Sequence, residues 1–547
     1  MADVKRHTEN WQTLPWKQIQ RNVYRLQQRI YQASCRGDWK RVHNLQRLLL
    51  RSWSARCLAV RRVTQDNRGK RTAGVDGVAL PTPERRLQLA EELRDLTRKA
   101  DPVRRVYIPK TNKERRPLGI PTMRDRAMQA LVKMALEPEW EAQFEPNSYG
   151  FRPGRSAHDA VEAIFNYIRL KPKYVLEADI EKCFDRIDHE ALLDKMSTIQ
   201  PLTRLVRGWL KAGIMDNGEM IFPEAGTPQG GVISPLLANI ALHGLEDELH
   251  DLLSKSSRPG VIRYADDFVI LHYDLTTLQR LREVAEAWLG SMGLRLKPNK
   301  TRLTHTLDEH KGNVGFDFLG FEIRQYQVGK HRTRSYRGRV GFKTIIKPSK
   351  QAQANHLKEV KEIVRRHRGS NQAALIAELN PVVRGWTAYY SSVSAKRTFM
   401  RLENEMIKKV LQWAKYRHRN KGRRWQYRKY WHRQGSRTAF GNGTIFLTLH
   451  RDTKIRRHTK VIGSKSPYDG DWTYWATRLG RDPMKPKRVV NLLKQQRGRC
   501  LRCGLRFTAE DVVEVHHKDE NRKNNRYSNL TLLHGHCHDQ EHSARCP

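Results

Sequence analysis

Arg263-Tyr264-Ala265-Asp266-Asp267-Phe268-Val269-Ile270-Leu271 sets two adjacent carboxylates between apolar, β-prone runs, with Val261-Ile262 before them and residues 268–271 after. This pattern predicts a tight hairpin with the acids at its tip. Like charges side by side repel, and the flanks read as buried, so the pair calls for a cation to neutralise it. An isolated Asp-Asp pair is an ordinary surface turn. What separates this one from that reading is the rest of the chain.

Upstream, Tyr174-Val175-Leu176-Glu177-Ala178-Asp179-Ile180 alternates as a strand, with Val175, Glu177 and Asp179 on one face. Asp179 ends the strand just before Cys183-Phe184-Asp185, a position suited to a site at the strand's end; capping the next helix is the plainer role. In Gly226-Thr227-Pro228-Gln229-Gly230-Gly231 the glycines let backbone approach a ligand closely, and Gln229 supplies a bidentate polar group. Ser234-Pro235 then fits an N-cap and first-turn proline for a helix running to about Leu249. Earlier still, Tyr107-Ile108-Pro109-Lys110 and residues 115–121 read as a hairpin that carries Lys110 and Arg116 toward a triphosphate. Joining a 3′-hydroxyl to a nucleoside triphosphate uses two divalent ions, one at the attacking oxygen and one at the pyrophosphate. Asp179, Asp266 and Asp267 would make their carboxylate cradle, with donors that suit Mg²⁺.

The bulk properties narrow the partner. A chain of 547 residues has room for several cores, and its formal net charge of +46 points to a polyanion, nucleic acid first. A membrane surface is the competing polyanion. No apolar run approaches the roughly 20 residues of a spanning helix, and no signal-peptide core opens the chain, which predicts a soluble intracellular protein with no membrane partner.

The order of these stretches resembles the reverse transcriptases, and within them the group II intron-encoded reverse transcriptase/maturases. The matching segments are 115–121, Ser148-Tyr149-Gly150-Phe151-Arg152-Pro153, 177–188, 226–235, Tyr264-Ala265-Asp266-Asp267, 293–300 and Phe318-Leu319-Gly320-Phe321. The resemblance implies an α+β, right-hand-like polymerase, with fingers and palm built on antiparallel sheet over residues 76–325 and a helical thumb or maturase X domain over 326–411. It implies Mg²⁺ on Asp179, Asp266 and Asp267, and deoxynucleoside triphosphate contacts from Lys110 and Arg116. Phe184 resembles the bulky residue that excludes a 2′-hydroxyl, and Gln229 the family's nucleotide-pocket glutamine.

The flanks add to this. Residues 1–75 read as a basic helical extension: Ile19, Val23, Leu26 and Ile30, then Val42, Leu45, Leu48 and Leu49, recur at helical spacing among Lys, Arg and Gln. After a basic, glycine-containing connector at 329–339, helical patterns run through Leu357, Val360 and Val364, through Leu375, Ile376 and Leu379 to a break at Asn380-Pro381, and through Leu402, Ile407 and Leu411. Arg384-Gly385-Trp386-Thr387-Ala388-Tyr389-Tyr390 resembles the maturase X segment. Over 412–490 the composition turns strongly basic, with no acid across 413–433 and Trp425, Tyr427, Tyr430 and Trp431 interleaved. That is a nucleic-acid-binding composition, with Arg424, Lys429 and Arg433 as phosphate contacts and 454–460 continuing the basic run. In the family this region binds double-stranded target DNA.

Residues 491–547 form a last module. Cys500-x-x-Cys503 with Cys537 and Cys546 suits a tetrahedral structural Zn²⁺ with four thiolates. Val513-Glu514-Val515-His516-His517 reads as a strand ending in two histidines, followed by Asn529 and by His538 and His542, four apart on one helical face. The module resembles an HNH endonuclease, a ββα-metal fold, without the proline that many members carry shortly after the histidine pair. By that resemblance His517 is the general base, Asn529 orients it, and His516, His538 and His542 hold one divalent ion, Mg²⁺ or Mn²⁺. The whole then reads as a protein that copies intron RNA into DNA, assists splicing and nicks DNA to make a primer, in a ribonucleoprotein of the bacterial cytoplasm. A splicing-only maturase and another bacterial reverse transcriptase type are the alternatives.

Overall fold

The computed structural model describes residues 10–79, 81–109, 115–329, 340–508 and 511–543. Three helices, Trp16–Cys35, Trp39–Arg51 and Trp53–Arg61, open the chain and pack on the long helix Met123–Gln143. Their apolar spacing decides the packing: Ile19, Val23 and Ile30 are buried while the intervening Lys and Arg face out. Asp38 and Ser52 cap the second and third helices by accepting the backbone N–H of Arg41 and Ala55.

Two sheets follow. β1 (Val103–Pro109) and β2 (Arg115–Ile120) pair antiparallel as expected, while the turn that carries Lys110 lies outside the described residues. β3 (Tyr174–Asp179) starts the second sheet before β4 (Ile214–Asp216) and β5 (Glu219–Ile221) return to the first, whose order is β2-β1-β4-β5. β6 (Gly260–Tyr264), β7 (Asp267–His272) and β8 (Arg302–His305) complete the second, ordered β6-β7-β3-β8 with every pairing antiparallel. Its centre is dry: Val175, Leu176, Ile262, Val269, Ile270 and Leu271 are fully buried.

The helix expected from Ser234 to about Leu249 is two helices, Ser234–Ala241 and Leu245–Asp251, separated at Gly244, whose φ of 97° is left-handed. Ser234 lies inside the first turn instead of capping it, and its hydroxyl donates to the Pro228 carbonyl at 2.8 Å. The site loop is thereby fastened to the helix that follows.

β9 (Phe316–Phe318), β10 (Phe321–Gln327) and β11 (Phe342–Pro348) form a three-stranded antiparallel sheet that leads into helices Lys350–Arg366, Gln372–Tyr389 and Lys396–Arg417. The break expected at Asn380-Pro381 does not occur. Gln372–Tyr389 continues through Pro381 because Leu379 and Val383 are buried on either side and the Asn380 amide is tied to the backbone of Phe446 (2.9 Å) and Thr448 (2.7 Å). Tertiary packing outweighs the lost helical hydrogen bond here. A short helix, Arg423–Tyr430, and the hairpin of β12 (Trp431–Gln434) and β13 (Arg437–Phe440) cover the thumb core. The last module is β14 (Val513–His517) paired with β15 (Leu530–His534), then helix Gly535–Ser543. Among the described residues no helix is long and apolar enough to cross a membrane.

Candidate active sites and metal centre

β3 and β7 are neighbours, and their register sets Asp179 directly opposite Asp267, with Asp266 one residue away at the hairpin tip. The tip turns through Ala265 in a left-handed conformation, φ 58°. Two features hold it there. Gly150 lies so close that a Cβ would come within 2.3 Å of the Ala265 nitrogen. The buried Arg263 guanidinium donates to Asn239 Oδ1 (3.0 Å) and to the Ala265 carbonyl (3.5 Å).

Burial raises the Asp266 carboxyl above its ordinary range, with Asp179 adding to the rise and Arg116 and Lys300 opposing it. Burial, then Asp266 and Asp179, pushes Asp267 up to about 6. Lys300 Nζ donates to Asp179 Oδ2 at 2.5 Å. Three oxygen-bearing side chains that repel one another in a half-buried recess fit a hard divalent cation.

Around this recess, Gln229 ties fingers to palm: its Oε1 accepts from Arg116 Nε (2.9 Å), its Nε2 donates to Asp185 Oδ1 (3.0 Å), and its carbonyl accepts from the Gly119 N–H (2.6 Å). Phe184 is buried and meets Phe151 edge-on at 6.1 Å. Asp179 is no helix cap, since Lys182 precedes the short helix Cys183–Arg186. Sequence reasoning gave no role to Arg263, Lys300 or Phe151. Phe151 is half exposed and left-handed, with a φ of 59°, which nothing in its residue type announces.

In the basic region, Arg424, Lys429 and Arg433 are all exposed, and Lys429 Nζ sits 4.8 Å over the Trp425 ring. Tyr427 stacks on Trp431 at 5.0 Å, but Tyr430 and Trp431 are buried in the thumb core and serve packing. The 454–460 segment is partly engaged by the polymerase: Arg457 pairs with Glu162 (3.3 Å) and His458 with Asp159 (3.0 Å). Asp159 is fully buried and also takes Arg478 (2.5 Å) and the Val461 N–H (2.8 Å).

In the last module the cysteines converge with one change from expectation. Cys500, Cys503, His534 and Cys537 place their ligand atoms within 4.8 Å of one another, all buried, while Cys546 lies outside the described residues. Among the described residues the cluster is therefore three cysteines and a histidine, His534, which the expected four-cysteine set did not include, and the expectation for Cys546 falls outside those residues. β15 ends at His534, three residues before Cys537, so His534-x-x-Cys537 faces Cys500-x-x-Cys503; that spacing was readable in the sequence. Cys503 Sγ is 3.3 Å from His534 Nδ1. Hydrogen bonding with Cys503, then Cys537, draws Cys500 well below the ordinary thiol range, and a thiolate is what a metal takes. His534 Nε2 lies 3.5 Å from Asp511, a carboxylate that also accepts from Gln20 of the first helix.

His516, His538 and His542 form a second cluster, also within 4.8 Å, with Glu514 against His538 Nδ1 at 2.8 Å. His517 ends β14 with Nε2 3.4 Å from Asn525 Oδ1. Asn529 is bonded to the neighbouring loop, donating to Asp519 Oδ1 (2.7 Å) and the Asn524 carbonyl (2.9 Å) and accepting from the Asp519 N–H (3.0 Å).

Carboxylates at the tip of a central hairpin, a fingers sheet bonded to the glycine-rich loop at 226–231 and a helical thumb are the architecture of a template-directed nucleic-acid polymerase. Comparison with known families refines this. Residues 108–323 match the model of the reverse transcriptase (RNA-dependent DNA polymerase), 11–93 the N-terminal domain of reverse transcriptase, 353–431 the group II intron maturase-specific domain and 500–544 the HNH endonuclease. Protein YkfC of Escherichia coli is 34% identical over 360 residues, covering 58% of this chain and 89% of that protein. Group II intron-encoded protein LtrA of Lactococcus lactis is 36% identical over 244 residues, covering 43% of this chain and 41% of LtrA. Maturase-like protein 1 of Euglena gracilis is 27% identical over 388 residues, 70% of this chain and 77% of that protein. The chain belongs to the group II intron-encoded reverse transcriptase/maturases and carries an HNH endonuclease domain.

Proposed function

We propose that the chain copies its intron RNA into DNA from a primer that its own nuclease module makes by nicking double-stranded target DNA, and that it binds the same RNA to assist splicing. The observation that carries the polymerase reading is the registered pair Asp179 and Asp267 with Asp266 beside them. These three would hold Mg²⁺, which when bound activates the primer 3′-hydroxyl and stabilises the departing pyrophosphate. Arg116 and, from the fingers turn, Lys110 would neutralise the triphosphate. Gln229, held between Arg116 and Asp185, would line the pocket of the incoming deoxynucleotide, and the Phe184 ring would block a 2′-hydroxyl.

In the last module His517 would take a proton from water, with His516, His538 and His542 holding a divalent ion against the scissile phosphate. Asn529 would act by shaping the 519–524 loop beside the base. Cys500, Cys503, His534 and Cys537 suit a structural Zn²⁺. Arg424, Lys429 and Arg433 would contact DNA phosphates from the exposed side of the post-thumb helix and hairpin. Domain limits at 75, 325, 411 and 490 accommodate these roles, and a ribonucleoprotein of the bacterial cytoplasm is their setting.

The test is primer extension on an RNA template with deoxynucleotides and Mg²⁺, comparing the chain with Asp266→Asn. Extension lost in the variant supports the reading. Tight RNA binding without extension by either protein would favour a splicing-only maturase.

A further inference from the structure

Two adjoining cavities, about 380 and 670 Å³, share Pro153, Pro467, Trp472 and Thr508 as common walls and so form one trench. Helix Trp16–Cys35 and the zinc-binding loop at 499–506 wall the smaller part. The turn at 152–156 and the segment 457–485 wall the larger. The trench therefore touches the N-terminal helices, the polymerase and the nuclease module at once.

Its lining is largely apolar, set with more basic side chains than acidic ones, Asp482 and Asp511 being the acids, and with aromatic rings. Lys460, Arg481 and Lys485 line the larger part, and none of them forms an ion pair among the described residues. Lys460 is half-buried, and burial followed by the nearby Arg155 pulls its ammonium below the ordinary lysine range. Trp472 and Tyr474 supply ring surface, the former packed against Tyr24 at 4.6 Å. Unpaired cations beside aromatic faces are the means by which proteins hold a strand whose bases are free to stack. A cavity of this size takes a few unpaired nucleotides and excludes a duplex.

We propose that this trench binds single-stranded DNA, with phosphates on Lys460, Arg481 and Lys485 and bases against Trp472 and Tyr474. DNA is favoured over RNA because one wall belongs to the endonuclease module, whose product is a DNA end that must reach the polymerase unpaired from its old partner. The inference rests on the proposed nicking and copying. Extension of a pre-annealed primer by the unsubstituted chain tests that reading separately.

The experiment measures binding of a fluorescent oligothymidylate to the full chain across a salt series, for the parent and for Lys460→Gln/Arg481→Gln/Lys485→Gln. Loss of three phosphate contacts should flatten the slope of log affinity against log salt by about 2. An unchanged slope overturns the proposal. So does a variant that weakens binding of an RNA oligonucleotide while leaving the DNA slope intact, which would make the trench an RNA site. Photocrosslinking of a bromodeoxyuridine oligonucleotide to the unsubstituted chain needs no variant to fold: adducts on the peptide that contains Trp472 and Tyr474 support the trench, and adducts confined elsewhere overturn it.

Discussion

The palm hairpin and the C-terminal module both gather side chains suited to holding metal ions, yet they stand in opposite relations to the fold around them. In the palm, β3, β6 and β7 are buried by Val175, Ile262, Val269 and Leu271, and the carboxylates sit at the end of a sheet whose apolar core forms without them. In the module, Cys500, Cys503 and Cys537 are themselves members of a small core with Leu492, Leu493, Phe507 and Leu530. The palm's carboxylates are set on a finished scaffold, whereas the module's cysteines are part of the scaffold. A module this small cannot bury enough apolar surface to dispense with them.

The largest expected effect follows from that difference. If the cluster holds the proposed Zn²⁺, Cys503→Ser or His534→Ala should release it and unfold residues beyond about 490, since structural zinc sites contribute on the order of 10 kcal/mol. Bound zinc measured by mass spectrometry and proteolysis confined to the C-terminal end check this, with primer extension persisting. Loss of extension together with zinc would break the contrast and show that the two regions fold as one. Asp266→Asn should do the reverse, lowering RNA-templated extension by about a thousandfold, roughly 4 kcal/mol, while the melting temperature does not fall. A variant that melts early would mean that the carboxylates support the sheet after all.

Between the two regions runs the segment that sequence reading understood least. Its basic composition pointed to nucleic acid and was blind to Asp159, an acid far upstream in the helix Ala157–Ile168 that binds His458 and Arg478. Burial alone would raise the Asp159 carboxyl, but His458 and Arg478 hold it well below the usual carboxylate range. Breaking such a buried set typically costs about 3–5 kcal/mol. Asp159→Asn should accordingly loosen 455–485, read as new protease cleavage there, with zinc retained; an unaltered cleavage pattern would show that the segment is held by other contacts.

What was legible followed the same logic. Alternation gave β3 and the hairpin, and local spacing gave the histidine pair at 538 and 542, because those signals lie within a few residues. His534 was missed although it stands three residues from Cys537, because four cysteines already completed a plausible set. Arg263 and the Asn380 tie were out of reach, since their meaning depends on Asn239 and Phe446, which only the folded chain brings near. Pro381 shows the limit of a local rule when both flanking residues are buried.

The smallest expected effect tests whether the palm tolerates its carboxylates at a cost. Asp267 titrates near 3.8 when unconstrained and at about 6 in the fold, so its ionised form is disfavoured there. Well below pH 3.8 it is protonated in both states and contributes nothing. As pH rises toward 6 the unfolded chain ionises more readily, and stability falls; above that the full penalty is present. The two-unit shift corresponds to at most about 3 kcal/mol, and sharing of charge with Asp266 and Asp179 reduces the share of one residue to about 1–2 kcal/mol. Asp267→Asn should therefore stabilise the chain against urea at about pH 7.5 in chelator and by only a small part of that at about pH 4, because the comparison with the parent cancels all other titrating groups. Adding Mg²⁺ should stabilise the parent and not the variant to the same extent, closing the gap. An equal gain at both pH values would mean that the substitution acts through packing, and that the palm's scaffold is as bound up with its ligands as the module's.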